Sequence, residues 1–423
     1  MTAPADLLIL GASELVTCAG FSAGPARGRQ QGALGIVPGG ALAIGSGKVL
    51  AVGPSAEIRR DYPVGDDQVI DAQNGTVLPG FVDPHTHLVF AGDRRDELRR
   101  RLAGATYGDI AASGGGIVKT VDATRFASEH ELIEGARKRL AEMLSFGTTT
   151  AEAKSGYGLG LASEQKILRA IRTAAGGQPI DLTATFMGAH EVPVEFRGRR
   201  GDYVKELIDV MIPAVADEGL AEWCDVFCEQ GVFTPDESRD ILEAGTRHGM
   251  KPRIHADELA LSGGSRVAAE VGARSADHLI FVDESHARML AEKNVVATLL
   301  PSAAFFLKLG RYAPARMLIE QGTAVALATD LNPGGGFTTS MPFVMSLACF
   351  GMNMTLEEAL NGATINAAAS IDRQDTIGSL EAGKQLDAVI VSGMLTDLIR
   401  VGGPVIKHVI KRGRVVHSRT ADC

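Results

Sequence analysis

Short runs of strand-forming residues alternate with longer amphipathic runs through the middle of the chain. The short runs predict eight strands, which in chain order are TVLPGFVDPHTH, GTTTAEAK, DLTATFMGAH, CDVFCE, KPRIHADE, SADHL, NVVATLLP and AVALATD. Between them, apolar residues recur at helical spacing in ELIEGARKRLAEML, SEQKILRAIRTAA, DYVKELIDVMIPAV and PDESRDILEAGTRH. This alternation is typical of parallel βα units, and eight strands predict a (β/α)₈ barrel. A doubly wound open sheet is the weaker alternative, because no Gly-rich phosphate loop follows the first strand.

Two helix starts carry clear signals. Thr234 is a predicted N-cap, with Pro235 at the first helical position and Glu237 three residues after the cap. This combination is a capping box, in which proline occupies a position where no amide hydrogen is needed. Thr355 followed by Glu358 repeats the signal before LEEALNGATINAAAS.

The two ends of the chain have a different pattern. Residues 5–72 contain short strands, turn residues and almost no helical periodicity, and the tail repeats this in LDAVIVSG and HVIKRGRVVH. Because isolated hairpins are marginally stable, we expect both ends to form one small β-sandwich. The predicted domains are this sandwich, residues 1–76 and 380–423, and the barrel, residues 77–379. Residues 22–41 are predicted to be a long, mobile loop.

Composition narrows the class of protein. With 423 residues, 45% of them hydrophobic and 22% charged, the chain fits an ordinary globular protein with a large and a small domain. The net charge of −9 and the lack of a long basic block exclude nucleic acid as an expected partner. No apolar run reaches the roughly 20 residues of a membrane helix, and the N-terminus lacks a secretory pattern. Together with five scattered cysteines, this favours the reducing cytoplasm.

Cys224 and Cys228 raise the question of a zinc site. They stand four residues apart in EWCDVFCEQ, and neither a second cysteine pair nor a nearby histidine completes a tetrahedral set. We therefore expect both thiols to pack in the core.

Polar side chains follow the predicted strands at the points where the strands end. In FVDPHTHLVF, His85 and His87 stand two residues apart, so both imidazoles point to the same face of a strand. The carboxyl ends of barrel strands meet at one mouth, where active sites lie. The residues predicted at this mouth are His85 and His87 after the first strand, Lys154 and Tyr157 after the second, His190 after the third, His255 and Glu258 after the fifth, His278 after the sixth, and Asp330 and Asn332 after the eighth.

Three imidazoles and one carboxylate at this mouth form a ligand set for a divalent metal ion: His85, His87, His255 and Asp330. Such an ion lowers the pKa of a bound water to about 7. His278 and Glu258 are left for orienting or proton-transfer roles, and Glu152 and Asp257 for hydrogen-bonding support. Lys154 is either a carbamylated bridge in a two-metal site or, as we favour, a structural or substrate-facing residue.

Several stretches resemble the amidohydrolase superfamily and, within it, the imidazolonepropionase family. They are DPHTHLVFAGDR, GGGIVKTVDATR, KSGYGL, MGAHEVP, DVFCEQGVF, HADEL, SADHL, AFFL and ATDLNPGG, with IGSLEAGKQLDAVIV near the end. The resemblance implies hydrolysis of 4-imidazolone-5-propanoate by water to N-formimidoyl-L-glutamate, a step of histidine degradation. It also implies one divalent or trivalent metal ion per subunit, zinc or iron, and a homodimer.

The resemblance assigns roles residue by residue. It implies metal ligation by the four residues named above, activation of water by His278, and substrate contacts from Arg94, Tyr157, His190, Glu258, Asn332 and Gly334. It stays open which proton transfer is performed by each of His278, Glu258 and Asp330. Where relatives tend to have serine or threonine, this chain has Gly335, which offers only its backbone amide.

Arg94 illustrates what the residues alone leave undecided. Its planar guanidinium suits a propanoate carboxylate, but it stands in the arginine-rich stretch DRRDELRRR, where Arg95 is equally placed.

Two other functions stay open: a deaminase or cyclic-amide hydrolase acting on another nitrogen heterocycle, and an inactive scaffold. The intact ligand set speaks against the scaffold.

Overall fold

Strands from both chain ends form two sheets beside a barrel. The computed structural model describes residues 4–21, 24–105, 109, 114–401 and 403–419. The N-terminal strands are β1 (Leu7–Leu10), β2 (Glu14–Val16), β3 (Ile36–Pro38), β4 (Gly40–Gly45), β5 (Lys48–Pro54), β6 (Val69–Asp71) and β7 (Thr76–Pro79). The barrel strands are β8 (Phe81–Asp83), β9 (Thr148–Lys154), β10 (Asp181–Ala189), β11 (Trp223–Cys228), β12 (Lys251–Ala256), β13 (Ser275–His278), β14 (Val296–Leu299) and β15 (Val325–Leu327). The C-terminal strands are β16 (Asp387–Val391), β17 (Ile406–Lys411) and β18 (Arg414–Ser418).

The barrel strands lie in chain order, and every neighbouring pair is parallel. A parallel bridge between Thr86 and Leu331 joins the segments that follow β8 and β15, so the first and last strands meet. Parallel strands buried on both faces, with helices between them, are the arrangement of a (β/α)₈ barrel. The predicted fold class is confirmed.

The two remaining sheets make the sandwich. One has the strand order β5-β4-β1-β6 and the other β18-β17-β16-β7-β2-β3. Their facing apolar side chains form a common core, which includes Ile9 and Leu42 from one sheet and Leu15, Val77 and Ile390 from the other. Both chain ends therefore contribute to one sandwich, as expected. The division into residues 1–76 with 380–423 and residues 77–379 stays a prediction.

Helices connect the barrel strands and cover their outer side. The α-helices are Ser55–Asp61, Arg95–Leu102, Ile117–Phe126, Glu129–Ser145, Leu161–Ala175, Arg200–Glu206, Ile212–Asp217, Pro235–Arg247, Gly264–Val271, Glu284–Glu292, Pro301–Phe306, Ala315–Glu320, Met341–Met352, Leu356–Ala363 and Ile365–Ser370. Short 3₁₀ turns cover Gly28–Gly32, Asp66–Gln68, Val194–Phe196 and Leu395–Ile399. Both predicted capping boxes are present, at Thr234 and at Thr355.

Three predicted elements are divided in the structure. TVLPGFVDPHTH splits at Gly80, where a Cβ would lie 2.5 Å from Thr149, into one strand of the sandwich and one of the barrel. DYVKELIDVMIPAV contains a π turn, Leu207–Met211, next to Pro213, whose nitrogen has no hydrogen for a regular helical bond. LEEALNGATINAAAS breaks at Thr364, which leaves the helical conformation. The N-terminal part also contains the helix Ser55–Asp61, which the strand pattern did not predict.

The prediction of a long mobile loop over residues 22–41 is wrong for the described part of that segment. It contains the turn Gly28–Gly32, all of β3 and the start of β4. Gln31 is fully buried, donates to the Val325 carbonyl at 2.9 Å and accepts from the Val325 amide at 3.1 Å. A polar residue that pairs with a barrel strand therefore fixes this segment. Residues 22 and 23 lie outside the described residues, as does Cys423.

The described cysteines Cys18, Cys224, Cys228 and Cys349 are free thiols. Burial raises the pKa of Cys228 to about 11 and that of Cys224 further, which keeps both protonated. Core packing of the pair is confirmed. Among the helices of the described residues, none combines the length and apolar character that crossing a membrane requires.

Candidate metal centre and active site

The four predicted metal ligands converge at the mouth of the barrel. His87 Nε2 lies 3.4 Å from His255 Nε2, and Asp330 Oδ1 lies 3.6 Å from His85 Nε2 and 3.9 Å from His87 Nε2. Ligand atoms about 2.1 Å from one ion at tetrahedral angles are about 3.4 Å from each other. One ligand atom each of His85, His87 and Asp330 lie within 4.8 Å of one another, and the same holds for His85, His255 and His278. The predicted ligands therefore surround one region in two overlapping sets of three, and the structure places His278 as close to His85 and His255 as the ligands of one ion would be.

The hydrogen bonds of two histidines leave their outer nitrogens available. His85 Nδ1 lies 2.6 Å from Asp277 Oδ2, and His255 Nδ1 lies 3.1 Å from Asp225 Oδ1. Each carboxylate holds the proton on Nδ1, so Nε2 carries the lone pair that a metal ion requires. His85 Nε2 is buried and has no hydrogen-bond partner, which an ion would supply.

The protonation states also suit a cation. Burial, and then the positive charges around them, hold the pKa of His85 and of His87 well below the ordinary value, so both imidazoles are neutral. Burial and the nearby Glu258 raise the pKa of Asp330 well above that of an exposed carboxyl group. A cation bound beside Asp330 would lower this pKa and favour the ionised carboxylate.

Backbone strain accompanies the site. Asp330 has φ 50° and His278 φ 73°, in the left-handed region that residues with side chains rarely occupy. Strained backbone of this kind clusters at functional sites. The Asp330 carbonyl is also packed against Gly336, where a Cβ would lie only 1.7 Å from the oxygen.

We therefore expect Gly336→Ala to destabilise the protein by about 1–3 kcal/mol, as overpacking does, and to weaken metal binding because Asp330 must move. Chemical denaturation and metal analysis of the purified variant measure both effects. Gly201→Ala is the matched control, since this exposed glycine in Arg200–Glu206 has no atom within 4 Å of the added Cβ. It is expected to stabilise the protein by about 0.4–1 kcal/mol. An equal loss from both substitutions would contradict the packing explanation.

A buried charge network lies beneath the ligands. Lys154 Nζ is 2.9 Å from Glu152 Oε1 and 2.7 Å from Asp225 Oδ2. Burial opposes the charge, but Asp225 and Glu152 outweigh it and raise the pKa of Lys154. A protonated amine with these partners is unsuited to carbamylation, so the structure favours the structural alternative for Lys154.

The predicted supporting carboxylates have partners of their own. Glu152 accepts from the Thr86 amide at 3.2 Å. Asp257 accepts from the backbone amides of residues 262–265 at 2.9–3.2 Å. The sequence did not indicate Asp225 and Asp277 as functional residues. Each of them is a carboxylate inside an apolar strand, and a buried carboxylate requires a partner. This pattern is the signal from which both residues could have been found.

One pocket opens onto the ligands and collects the predicted site residues. It is lined by His87, Arg94, Tyr157, His190, His255, Glu258, His278, Asp330, Asn332, Gly334 and Gly335, together with Ile117, Glu191, Phe227, Leu259 and Leu307. His85, with no exposed surface, lies below it.

Aromatic and acidic groups form one wall of this pocket. The His190 ring stacks on His87 with centroids 4.7 Å apart and planes at 16°, and Tyr157 lies 5.6 Å from His87. Burial of Glu258, together with the nearby Glu229, raises the pKa of the Glu258 carboxyl group to about 8. His278 Nδ1 lies 3.6 Å from Glu258 Oε1. The wall therefore offers ring contacts and groups that can hold or transfer a proton.

The structure distinguishes Arg94 from Arg95. Arg94 is buried in the pocket wall, whereas Arg95 is exposed. Arg94 Nε donates to Glu97 Oε2 at 2.7 Å, and its guanidinium lies against Gly334, where a Cβ would be 2.0 Å from Nη1. Arg94 can therefore present its terminal nitrogens to an anion in the pocket.

Asn332 organises the loop that follows the eighth barrel strand. Its Oδ1 accepts from the amides of Gly334 at 2.8 Å and Gly335 at 2.6 Å, and its Nδ2 donates to the Asp330 carbonyl at 2.8 Å. The Gly335 amide thus already has an acceptor within the loop. The expected substrate contacts of Asn332, Gly334 and Gly335 stay predictions.

Comparison with known proteins decides the family. The Amidohydrolase family pattern matches residues 76–416. The chain belongs to the amidohydrolase family. Two relatives named imidazolonepropionase cover almost its full length. The one from Symbiobacterium thermophilum is 51% identical over 417 residues, which are 98% of this chain and 97% of the relative. The one from Geobacillus thermodenitrificans is 48% identical over 421 residues, which are 99% of each chain. They confirm the resemblance to the imidazolonepropionase branch.

A solved structure shares the overall fold of this chain. Guanine deaminase from E. coli superposes with a TM-score of 0.72 at 17% identity, over 98% of this chain and 100% of that one. At this identity the similarity concerns the fold alone.

Proposed function

We propose that the protein is a metal-dependent hydrolase that opens the ring of 4-imidazolone-5-propanoate to give N-formimidoyl-L-glutamate. The observation that carries the proposal is the cluster of His85, His87, His255 and Asp330 at the barrel mouth, where three pairs of their ligand atoms lie 3.4–3.9 Å apart. The chain is also about half identical to relatives named imidazolonepropionase. We propose one zinc or iron ion per subunit, because imidazole and carboxylate ligands suit both metals.

The site's own residues bind the substrate and move protons. Arg94 holds the propanoate carboxylate, and Tyr157 and His190 hydrogen-bond the polar atoms of the ring. His85, His87, His255 and Asp330 would hold the metal, which would supply a water of lowered pKa and a positive charge that polarises the substrate. Water adds to the ring carbonyl carbon, the ring C–N bond breaks, and the departing nitrogen takes a proton. His278, Glu258 and Asp330 share these proton transfers, and Glu258, protonated at neutral pH in the metal-free chain, suits the donor role.

Purified, metal-loaded protein is expected to remove the ultraviolet absorbance of freshly made imidazolonepropanoate and to release formimidoylglutamate. Removal of the metal with a chelator is expected to abolish turnover, and adding back zinc or iron separately shows which ion restores it. No turnover by the metal-loaded enzyme would exclude this substrate.

A deaminase or another cyclic-amide hydrolase is the second candidate. The buried Arg94 beside the pocket favours an anionic substrate over a neutral base. A deaminase releases ammonia, whereas ring opening does not, so an ammonia assay on both substrate classes separates the two. The homodimer, the cytoplasmic location and the absence of nucleic-acid and membrane partners stay predictions.

A further inference from the structure

The ammonium group of Lys154 lies between the two carboxylates that orient metal-facing histidines. It is 2.7 Å from Asp225 Oδ2 and 3.9 Å from Asp277 Oδ2, and its side chain has no exposed surface. Asp225 accepts from His255 through its other oxygen, Oδ1, and Asp277 accepts from His85 through the same Oδ2. Lys154 stands at the end of β9, Asp225 in β11 and Asp277 in β13, so one side chain links three barrel strands.

The two carboxylates depend on Lys154 to different degrees. Asp277 has a second cation, because Arg253 Nη2 lies 3.2 Å from its Oδ2. Asp225 has Lys154 as its cation: its Oδ2 accepts from Lys154 Nζ at 2.7 Å, and its Oδ1 lies 3.1 Å from His255 Nδ1. Removing one partner of a buried ion pair is strongly unfavourable, so the carboxylate left behind must move toward other donors and no longer holds the imidazole in the same place.

We propose that Lys154 is a positioning residue of the metal centre. Its ammonium group keeps the Asp225 and Asp277 carboxylates in place as acceptors, so that His255 and His85 stay oriented with Nδ1 toward the carboxylates and Nε2 toward the ion. This inference rests on the proposed metal site and assigns Lys154 a role in metal affinity, with no contact to the substrate.

Lys154→Met removes the charge and keeps the approximate length of the side chain. We expect its dissociation constant for zinc to rise about 10- to 100-fold, the usual effect of losing a partner behind the ligands. The measurement uses metal-free protein and a chromophoric chelator in competition for zinc, without substrate.

Lys411→Met is the matched control. Lys411 Nζ is also buried between two carboxylates, 2.7 Å from Asp387 Oδ2 and 2.8 Å from Asp181 Oδ2, but it belongs to the sandwich. This variant is expected to lose stability and to retain the wild-type zinc affinity. Equal zinc affinity in Lys154→Met and Lys411→Met would overturn the proposal.

A double-mutant comparison tests the route through Asp225. If Lys154 acts through this carboxylate, Asp225→Asn weakens zinc binding, and adding Lys154→Met weakens it by less than the sum of the separate effects. Fully additive losses would contradict the route. Should Lys154→Met not fold, Lys154→Gln takes its place, because it retains a donor toward the carboxylates but no charge.

The outcomes separate this inference from the proposed function. A wild-type protein that binds no zinc or iron refutes the metal site itself. Equal zinc affinities of the wild-type protein and of Lys154→Met would refute only the role of Lys154. Cobalt(II) in place of zinc gives a further check, since altered d–d bands in Lys154→Met show reoriented ligands and unchanged bands count against the proposal.

Discussion

Replacing His255 with alanine is expected to lower kcat/KM for imidazolonepropanoate by about 10³-fold or more, because metal catalysis supplies several kcal/mol and each 1.36 kcal/mol is a factor of ten. His255 Nε2 is 3.4 Å from His87 Nε2, so its loss opens one side of the ligand set. It also leaves Asp225 without the imidazole it orients. Steady-state kinetics at saturating metal, together with metal analysis of the dialysed protein, measure the effect.

His248→Ala is the control for His255→Ala. His248 is exposed and caps the C-terminal end of the helix Pro235–Arg247, away from the pocket lining. The same substitution there is expected to leave kcat/KM and metal content unchanged. Near-normal turnover by His255→Ala would contradict the proposed ligand set.

The sequence predicted the parts of the site that follow from positions at strand ends. His85 and His87 lie after β8 (Phe81–Asp83), so the prediction that they share one face of a strand is wrong, although both reach the mouth of the barrel. His255, His278 and Asp330 stand at or just after the ends of other strands. Carboxyl ends of parallel strands meet at one mouth, so their convergence followed once eight strands were identified. Family resemblance added the roles of Arg94 and Gly334, which periodicity alone does not provide.

The residues that support the metal ligands could not be predicted, because the sequence does not show which residues come close to each other in the fold. Asp225 and Asp277 stand in apolar strands, and their partners His255, His85 and Lys154 are 30 or more residues away along the chain. These strands are buried on both faces, so no alternation of apolar and polar residues marks which positions face the barrel interior. The same limit explains why the 22–41 segment was misjudged, because Gln31 pairs with Val325 across 294 residues.

Gly334→Ala is expected to raise KM for imidazolonepropanoate about 10- to 100-fold, the equivalent of losing a charged hydrogen bond of about 1.5–3 kcal/mol. The added Cβ would lie 2.0 Å from Arg94 Nη1, so the guanidinium must leave its place. Glu97 holds the other edge of the guanidinium at 2.7 Å, which limits where it can go. Neither Gly334 nor its neighbour Gly335 has a positive φ, so alanine fits the backbone at both positions.

Gly335→Ala distinguishes displacement of Arg94 from a general disturbance of the loop. At Gly335 the nearest atom to an added Cβ is Leu307 Cγ at 3.4 Å, an ordinary contact, so KM is expected to change little. Gly334→Ala is also expected to leave the metal content unchanged and to have little effect on a ring substrate that lacks the propanoate. A similar rise of KM for charged and uncharged substrates would mean that Arg94 does not bind the carboxylate. The second candidate function, hydrolysis or deamination of a neutral heterocycle, would then be favoured.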